Sequence, residues 1–388
     1  MASSISKTRY EVWLNIALFV CLCTIWLAIA VNYRGTAWDF TQFFVVAHVP
    51  VAQVYDQQIL HERGQELLRP LGIDYYPPYV RPAVGVVPIR PLQFFSYWKA
   101  FWLFASIQFA ACIAILWISI RYLHVRTGIA AGVAFFYPAM MGIVTGQDIL
   151  LVTLIAIVGF VILKSDHPLE GGLVLGLTAY KYNLFLFIPL FLIARRCWRG
   201  FTGWATTAGA LALISILLAP PARYLELLRS IDKYTIGFSP ATMISVRGPL
   251  AAAGIPVYPV LAFAIAGAAV FAFGRGSIEQ AFYTGQVASV LAGYHVTWYD
   301  ATVLLVPLAW LVAPAQSLPR APGVRLGRVA AGILLLGTPL WPFGGVLMTL
   351  LMAIVFITLC LMQYQRVDGS STSISRRLAC PSASASRS

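Results

Sequence analysis

Charge is what this sequence has least of. Asp, Glu, Lys and Arg make up 11% of its 388 residues, hydrophobic residues make up 60%, and mean hydropathy is +0.79. A soluble domain carries about 25% charged residues, so most of this surface cannot face water. Acidic side chains are scarcer than basic ones, 14 against 27. Cysteine is sparse at 6. Cys21, Cys23, Cys112 and Cys360 sit inside apolar runs, while Cys197 and Cys380 sit in basic segments. No spacing among them suggests zinc, so packing is the role expected of all six. No Walker loop, dinucleotide fingerprint, HExxH or nucleophile elbow stands where it would work. That argues against ATP-driven transport and against hydrolases.

What the chain does have is apolar runs, and each needs roughly 17 to 25 residues to cross a bilayer. The run 12–30 holds no ionisable residue and reads as a retained helix. The net charge of +13 would suit nucleic acid, but the basic residues do not gather on one surface. They stand in short clusters between apolar runs, at Arg121/Arg126, Arg195/Arg196/Arg199 and Arg320/Arg325/Arg328. Positive charge retained on the cytoplasmic side explains that pattern. The expected partner is a lipid bilayer, not nucleic acid.

The expected fold is an all-α, polytopic integral membrane protein with on the order of 9 to 12 spans. Threading the basic clusters inward puts both termini in the cytoplasm and makes 32–96 a long first external loop. Spans are expected near 97–120, 128–145, 148–163, 203–219, 256–274, 280–298, 300–313, 328–340 and 344–362. The stretch 169–194 is expected as two short helices broken around Lys181, and 220–255 as a second external segment. Residues 1–362 form one transmembrane domain, and 363–388, rich in Ser and Arg, a disordered tail.

This threading sends Asp39, Asp56, Asp74, Asp148, Asp232 and Asp300 to the outer side. For all but Asp39 and Asp300, solvated loop charge is the favoured account. Asp39 stands between Trp38 and Phe40, where aromatic neighbours would desolvate it and make it a better base; a helix N-cap is the competing account. The segment Asp74-Tyr75-Tyr76-Pro77-Pro78-Tyr79-Val80-Arg81 is stiff and aromatic. Such a surface suits a sugar, and Arg81 a phosphate, although a rigid connector would look similar. Gln147 lies at a helix-hairpin tip. Lys181 between two apolar half-helices needs either an anion or a headgroup to snorkel toward. His295 and Asp300, five residues apart, form a candidate imidazolium–carboxylate pair, and Arg247 is a further external cation.

Taken in order, these segments resemble the polyprenyl-phosphate-dependent glycosyltransferases of family 87, within the GT-C membrane superfamily. The resemblance rests on Asp39-Phe40 after the first helix, Val54-Tyr55-Asp56, Tyr76-Pro77-Pro78, Gly146-Gln147, the run Gly172–Leu177 ahead of Lys181, and Tyr299-Asp300 before Leu304-Leu305-Val306-Pro307. Tyr182 stands where the family commonly has proline. The resemblance implies a GT-C-like helical bundle in a bacterial inner membrane. It implies transfer of a sugar, mannose by analogy, from a polyprenyl-phosphate donor to a glycolipid or polysaccharide acceptor, with inversion. Asp39 would be the base. Lys181, Arg247, His295, Asp300, Arg81, Tyr76 and Gln147 would bind substrates. No cofactor and no metal are implied, because no second acidic residue stands two positions from Asp39. A transporter or flippase is the alternative from another class, though no repeat of halves is visible.

Overall fold

A computed structural model describes residues 38–73, 78–123, 125, 136–234, 243–274, 276–312, 322–337 and 345–365. The expected first helix, Asp74 to Pro77 (Tyr76 among them) and the tail beyond Gln365 lie outside the described residues. Among those residues every regular element is helical. In hydrocarbon each backbone N–H and C=O must find a partner within the chain, and only helices or closed barrels allow that.

In chain order the helices are α1 (Trp38–Ala47), α2 (Gln57–Leu68), α3 (Val86–Ile89), α4 (Tyr97–Tyr122), α5 (Tyr137–Thr145), α6 (Ile149–Lys164), α7 (Pro168–Gly176), α8 (Tyr182–Phe185), α9 (Phe187–Ala194), α10 (Trp198–Leu218), α11 (Pro221–Tyr234), α12 (Arg247–Ala252), α13 (Tyr258–Phe273), α14 (Ile278–Ala292), α15 (Leu305–Val312), α16 (Pro322–Leu336) and α17 (Gly345–Gln365). Short 3₁₀ turns fill several joints, notably Leu177–Lys181 and Trp298–Leu304. This is an all-α polytopic membrane protein, and most helices fall where hydropathy predicts them.

The unbroken spans are fewer than the pattern of apolar runs suggests. Among the described residues, α4, α10 and α17 are long and apolar enough to cross a bilayer, and the pair broken after Phe185 makes a fourth if counted as one span. That pair bends by 115°. Elsewhere an apolar run is realised as a shorter helix such as α6 or α13, or as a 3₁₀ turn leading into a helix, as at 298–312. A helix of 16 residues reaches only about 24 Å, short of a hydrocarbon core about 30 Å thick.

Helix α4 shows how one sequence serves both protein and lipid. Ala100, Phe104, Gln108, Ala111, Ile115 and Ser119 are buried along one face, at the three- and four-residue spacing of a helical stripe. Trp102, Leu103, Ile107, Ile113 and Trp117 are exposed on the rest of the helix. In α14, by contrast, every residue from Gln280 to Leu291 is buried. It is the central post of the bundle, with Phe282 stacked on Phe160 at 4.1 Å. A Ser277/Gln280 capping box closes its first turn.

Helices α7 and α10 cross at a seam of glycines. A Cβ at Gly172 would run into the Gly200 carbonyl oxygen, and one at Gly203 into the Leu169 carbonyl oxygen. Lipid tails are as apolar as leucine, so close backbone approach supplies much of the attraction between such helices. Gly172→Ala is therefore expected to lower thermal stability by about 1–3 kcal/mol. Gly209→Ala, on the same α10 but with nothing near its Cβ position, is expected not to. Thermal unfolding in detergent checks both, and equal melting of the two variants would refute the seam.

Cys360 is a free thiol. Cys197 is disulfide-bonded, so the expectation that all six cysteines serve packing alone fails there.

Candidate active site

The site begins at α1. Phe40, next to Asp39, packs into an aromatic cluster with Tyr97 at 5.4 Å, Phe101 at 5.5 Å and Phe104 at 5.5 Å. This anchors the first turn of α1 against α4 and leaves Asp39 buried, at 8% exposure. Asp39 lies within that turn. Gly146, at φ +77°, ends α5 in the left-handed conformation. A Cβ there would strike Phe40, so glycine is what lets the α5–α6 tip press onto α1.

That tip brings the polar groups of Gln147 and Thr145 toward Asp39. The Gln147 amide oxygen in turn accepts from Arg81 Nη2 at 3.5 Å. Arg81 also donates from Nε to Asp148 Oδ2 at 3.4 Å and from Nη2 to Asp148 Oδ1 at 3.3 Å. Its backbone is held from the Val54-Tyr55-Asp56 segment, because Tyr55 donates to the Arg81 carbonyl at 2.9 Å. Tyr224 of α11 donates to the neighbouring Val80 carbonyl at 3.4 Å.

Asp148 Oδ1 also accepts from Lys181 Nζ at 3.4 Å, and the same ammonium lies 3.0 Å from Asp300 Oδ1. Lys181 is 1% exposed. It closes the 3₁₀ break between α7 and α8 and does not snorkel to headgroups: its anions are two buried carboxylates. Asp300 Oδ2 accepts from the Thr297 amide at 3.0 Å and from its hydroxyl at 3.2 Å, which closes the Trp298–Leu304 turn. A polar chain thus runs Gln147, Arg81, Asp148, Lys181, Asp300, Thr297 through the bundle, with Asp39 beside its Gln147 end. Two rings flank it, Tyr180 beneath Arg81 and Tyr299 beneath Lys181, each 5.9 Å from the cation.

The chain holds three carboxylates and two cations, all buried. Asp148 and Asp300 have cations within ion-pairing distance, and Asp39 has none among the described residues. Burial raises the pKa of Asp39 from its ordinary 3.8 to about 6. The polar side chains of Gln147 and Thr145 oppose that, the Asp300 charge adds to it, and Lys181 opposes it. A carboxylate so placed is a proton acceptor near neutral pH.

Of the residues singled out in the sequence, Asp39, Arg81, Gln147, Lys181 and Asp300 come together here. Arg247 sits against the Tyr294 ring at 3.7 Å and donates to the Tyr294 carbonyl at 3.1 Å. His295 is half-buried, and its carbonyl accepts from Asn183 at 3.4 Å. Asp148 corrects the expectation of solvated loop charge: it is 4% exposed and central to the network. Thr145, Tyr180 and Tyr299, to which the sequence assigns no binding role, also border the site. Among the described residues, no three His, Cys, Asp or Glu side chains are grouped as metal ligands.

The model for glycosyltransferase family 87 matches residues 76–307. The chain belongs to glycosyltransferase family 87. Neither curated proteins nor solved structures give a match. As a family 87 member the protein is a multi-pass membrane glycosyltransferase, which moves a sugar from a donor to an acceptor. The matched stretch carries Arg81, Gln147, Asp148, Lys181 and Asp300 and begins after Asp39. Most of the polar chain of this glycosyltransferase therefore lies inside the family region, and Asp39 lies just upstream.

Proposed function

We propose that this family 87 glycosyltransferase takes its sugar, mannose, from a polyprenyl-phosphate donor. The acceptor is a glycolipid or polysaccharide, reached at the outer face of a bacterial inner membrane. The observation that carries this reading is Asp39, a desolvated carboxylate with no ion-paired cation among the described residues, at the end of a network that holds two buried cations. In the reaction an acceptor hydroxyl oxygen bonds to the anomeric carbon. The bond from that carbon to the phosphate oxygen breaks, and its electron pair leaves as polyprenyl phosphate. Asp39 takes the hydroxyl proton, and a single displacement inverts the anomeric carbon. Phosphate is a good leaving group, so one base and cationic stabilisation of the departing charge suffice.

Arg81 suits the phosphate role. Its Nε and Nη2 edge rests on Asp148 and Gln147, while Nη1 donates to no described residue. Lys181 donates to Asp148 and forms an ion pair with Asp300. Arg247 and His295 are further contacts to the donor; their segments are tied by the Ile244 amide donating to the Val296 carbonyl at 3.1 Å. Tyr76 is assigned to the sugar on sequence grounds.

The test is transfer from radiolabelled polyprenyl-phosphomannose to membrane acceptors across pH. A base ionises as pH rises through its pKa, so the rate is expected to climb through about pH 6 and then level. Transfer from other polyprenyl-phosphate sugars but not mannose would replace the sugar. Failure with every polyprenyl-phosphate donor would sink the donor class.

A further inference from the structure

Val54-Tyr55-Asp56 contributes no group to the transfer reaction, yet its tyrosine reaches the site. Residues 78–82 lie outside any helix, so their carbonyls lack an intrahelical amide and need partners from elsewhere. Three consecutive carbonyls there each accept from a tyrosine hydroxyl. Tyr224 of α11 donates to Val80 at 3.4 Å, Tyr55 to Arg81 at 2.9 Å and Tyr79 to Pro82 at 3.4 Å. The Tyr55 and Tyr224 rings pack on each other at 4.8 Å. The loop before α2 and the helix α11 therefore meet at the Arg81 backbone.

The distances decide which end of Arg81 is held more firmly. Its guanidinium lies 3.3 to 3.5 Å from Asp148 and Gln147, long beside the roughly 2.7–2.9 Å of a tight charge-assisted bond. The Tyr55 bond at the backbone end is of ordinary length, and Tyr55 is buried, which shields that bond from water. A Cβ at Gly85 would strike the Tyr180 ring, so the ring that flanks the Arg81 cation is also pressed onto this stretch.

We propose that Tyr55 and Tyr224 are positioning residues for Arg81. Their hydroxyls fix the backbone from which the guanidinium projects, so the cation meets the donor phosphate in one place. The proposal rests on Arg81 contacting that phosphate. Without the hydroxyls Arg81 stays charged but can shift, and a fork that shifts no longer matches two phosphate oxygens. A lysine at 81 would be a point charge with no fork to aim, so it would gain little from a fixed backbone.

The experiment is the dissociation constant of polyprenyl phosphate, the leaving group, in detergent. It compares full-length wild type, Tyr55→Phe, Arg81→Lys and the double variant. Tyr55→Phe keeps the ring against Tyr224 and removes only the hydroxyl. It is expected to weaken binding about 5-fold, the usual worth of one buried hydrogen bond. Arg81→Lys is expected to weaken binding about 10-fold, because the bidentate fork is lost. Adding Tyr55→Phe to Arg81→Lys is expected to change it by less than about 2-fold, because effects that run through one residue do not add. Unchanged binding in Tyr55→Phe overturns the proposal. So does the same loss recurring in the Arg81→Lys background, since a looser fold would weaken both proteins alike. Should Tyr55→Phe not fold, Tyr224→Phe is read in the same way, with a loss of about 2- to 3-fold expected for its longer bond. An unmoved constant there overturns the proposal equally. Arg81→Lys binding as tightly as wild type would instead remove Arg81 as the phosphate contact. A wild type that binds no polyprenyl phosphate would remove the donor class. Either result ends the proposal at its premise and is read in its own arm.

Discussion

Asp39→Asn is expected to lower sugar transfer by about 10²–10⁴-fold, the usual worth of a general base, and to make the protein more stable at pH 8. The two effects share one cause. Folding raises the pKa of Asp39 from 3.8 to about 6. Between those values the folded chain holds more protons than the unfolded one, so stability falls as pH climbs through this window. Above it the buried charge is a standing cost, on the order of 3 kcal/mol for a difference of this size. Asparagine keeps the shape and removes the cost. Thermal unfolding of the two proteins at pH 5 and pH 8 checks this, with the gain at pH 5 expected to be about half that at pH 8. Full activity would end the base assignment, and an equal gain at both pH values would end the electrostatic account.

Lys181→Met is expected to cause the largest loss of stability of any single change in the network. The ammonium is 1% exposed and pairs with Asp148 and Asp300. Removing one partner of a buried pair leaves uncompensated charge and costs about 3–5 kcal/mol. Asp148 keeps Arg81 and Asp300 keeps Thr297, so unfolding should still be cooperative. Lys181 also opposes the rise of the Asp39 pKa, and without it the acid limb of transfer should move above pH 6. A melting temperature unchanged from wild type would show that the ion pairs contribute nothing, and a limb at lower pH would contradict the charge balance.

Much of the architecture was legible because lipid leaves so few choices. Runs such as 97–120 and 203–219 could be read as helices from hydropathy alone, and α4 and α10 stand there. The span count was less legible. Whether an apolar run is one straight rod depends on breaks such as Thr178 to Lys181, and their angle is set by what packs around them. Asp39 was visible because its desolvating neighbours, Trp38 and Phe40, are adjacent in sequence. Asp148 was not, because its partners Arg81 and Lys181 lie 67 and 33 residues away. Read locally it is a polar residue at a hairpin tip.

The sequence by itself determined that this chain must be helical and lie in a membrane: with so little charge, the backbone has to satisfy its own hydrogen bonds. It also determined which polar residues were costly enough to need a reason, Asp39 and Lys181 foremost. Only the tertiary structure decided how those residues are paired. Burial makes an isolated charge expensive. The folded chain therefore matches Arg81 and Lys181 to Asp148 and Asp300 across distant segments, and leaves Asp39 with no ion-paired cation among the described residues. Such a match depends on distances between helices, which no local pattern encodes.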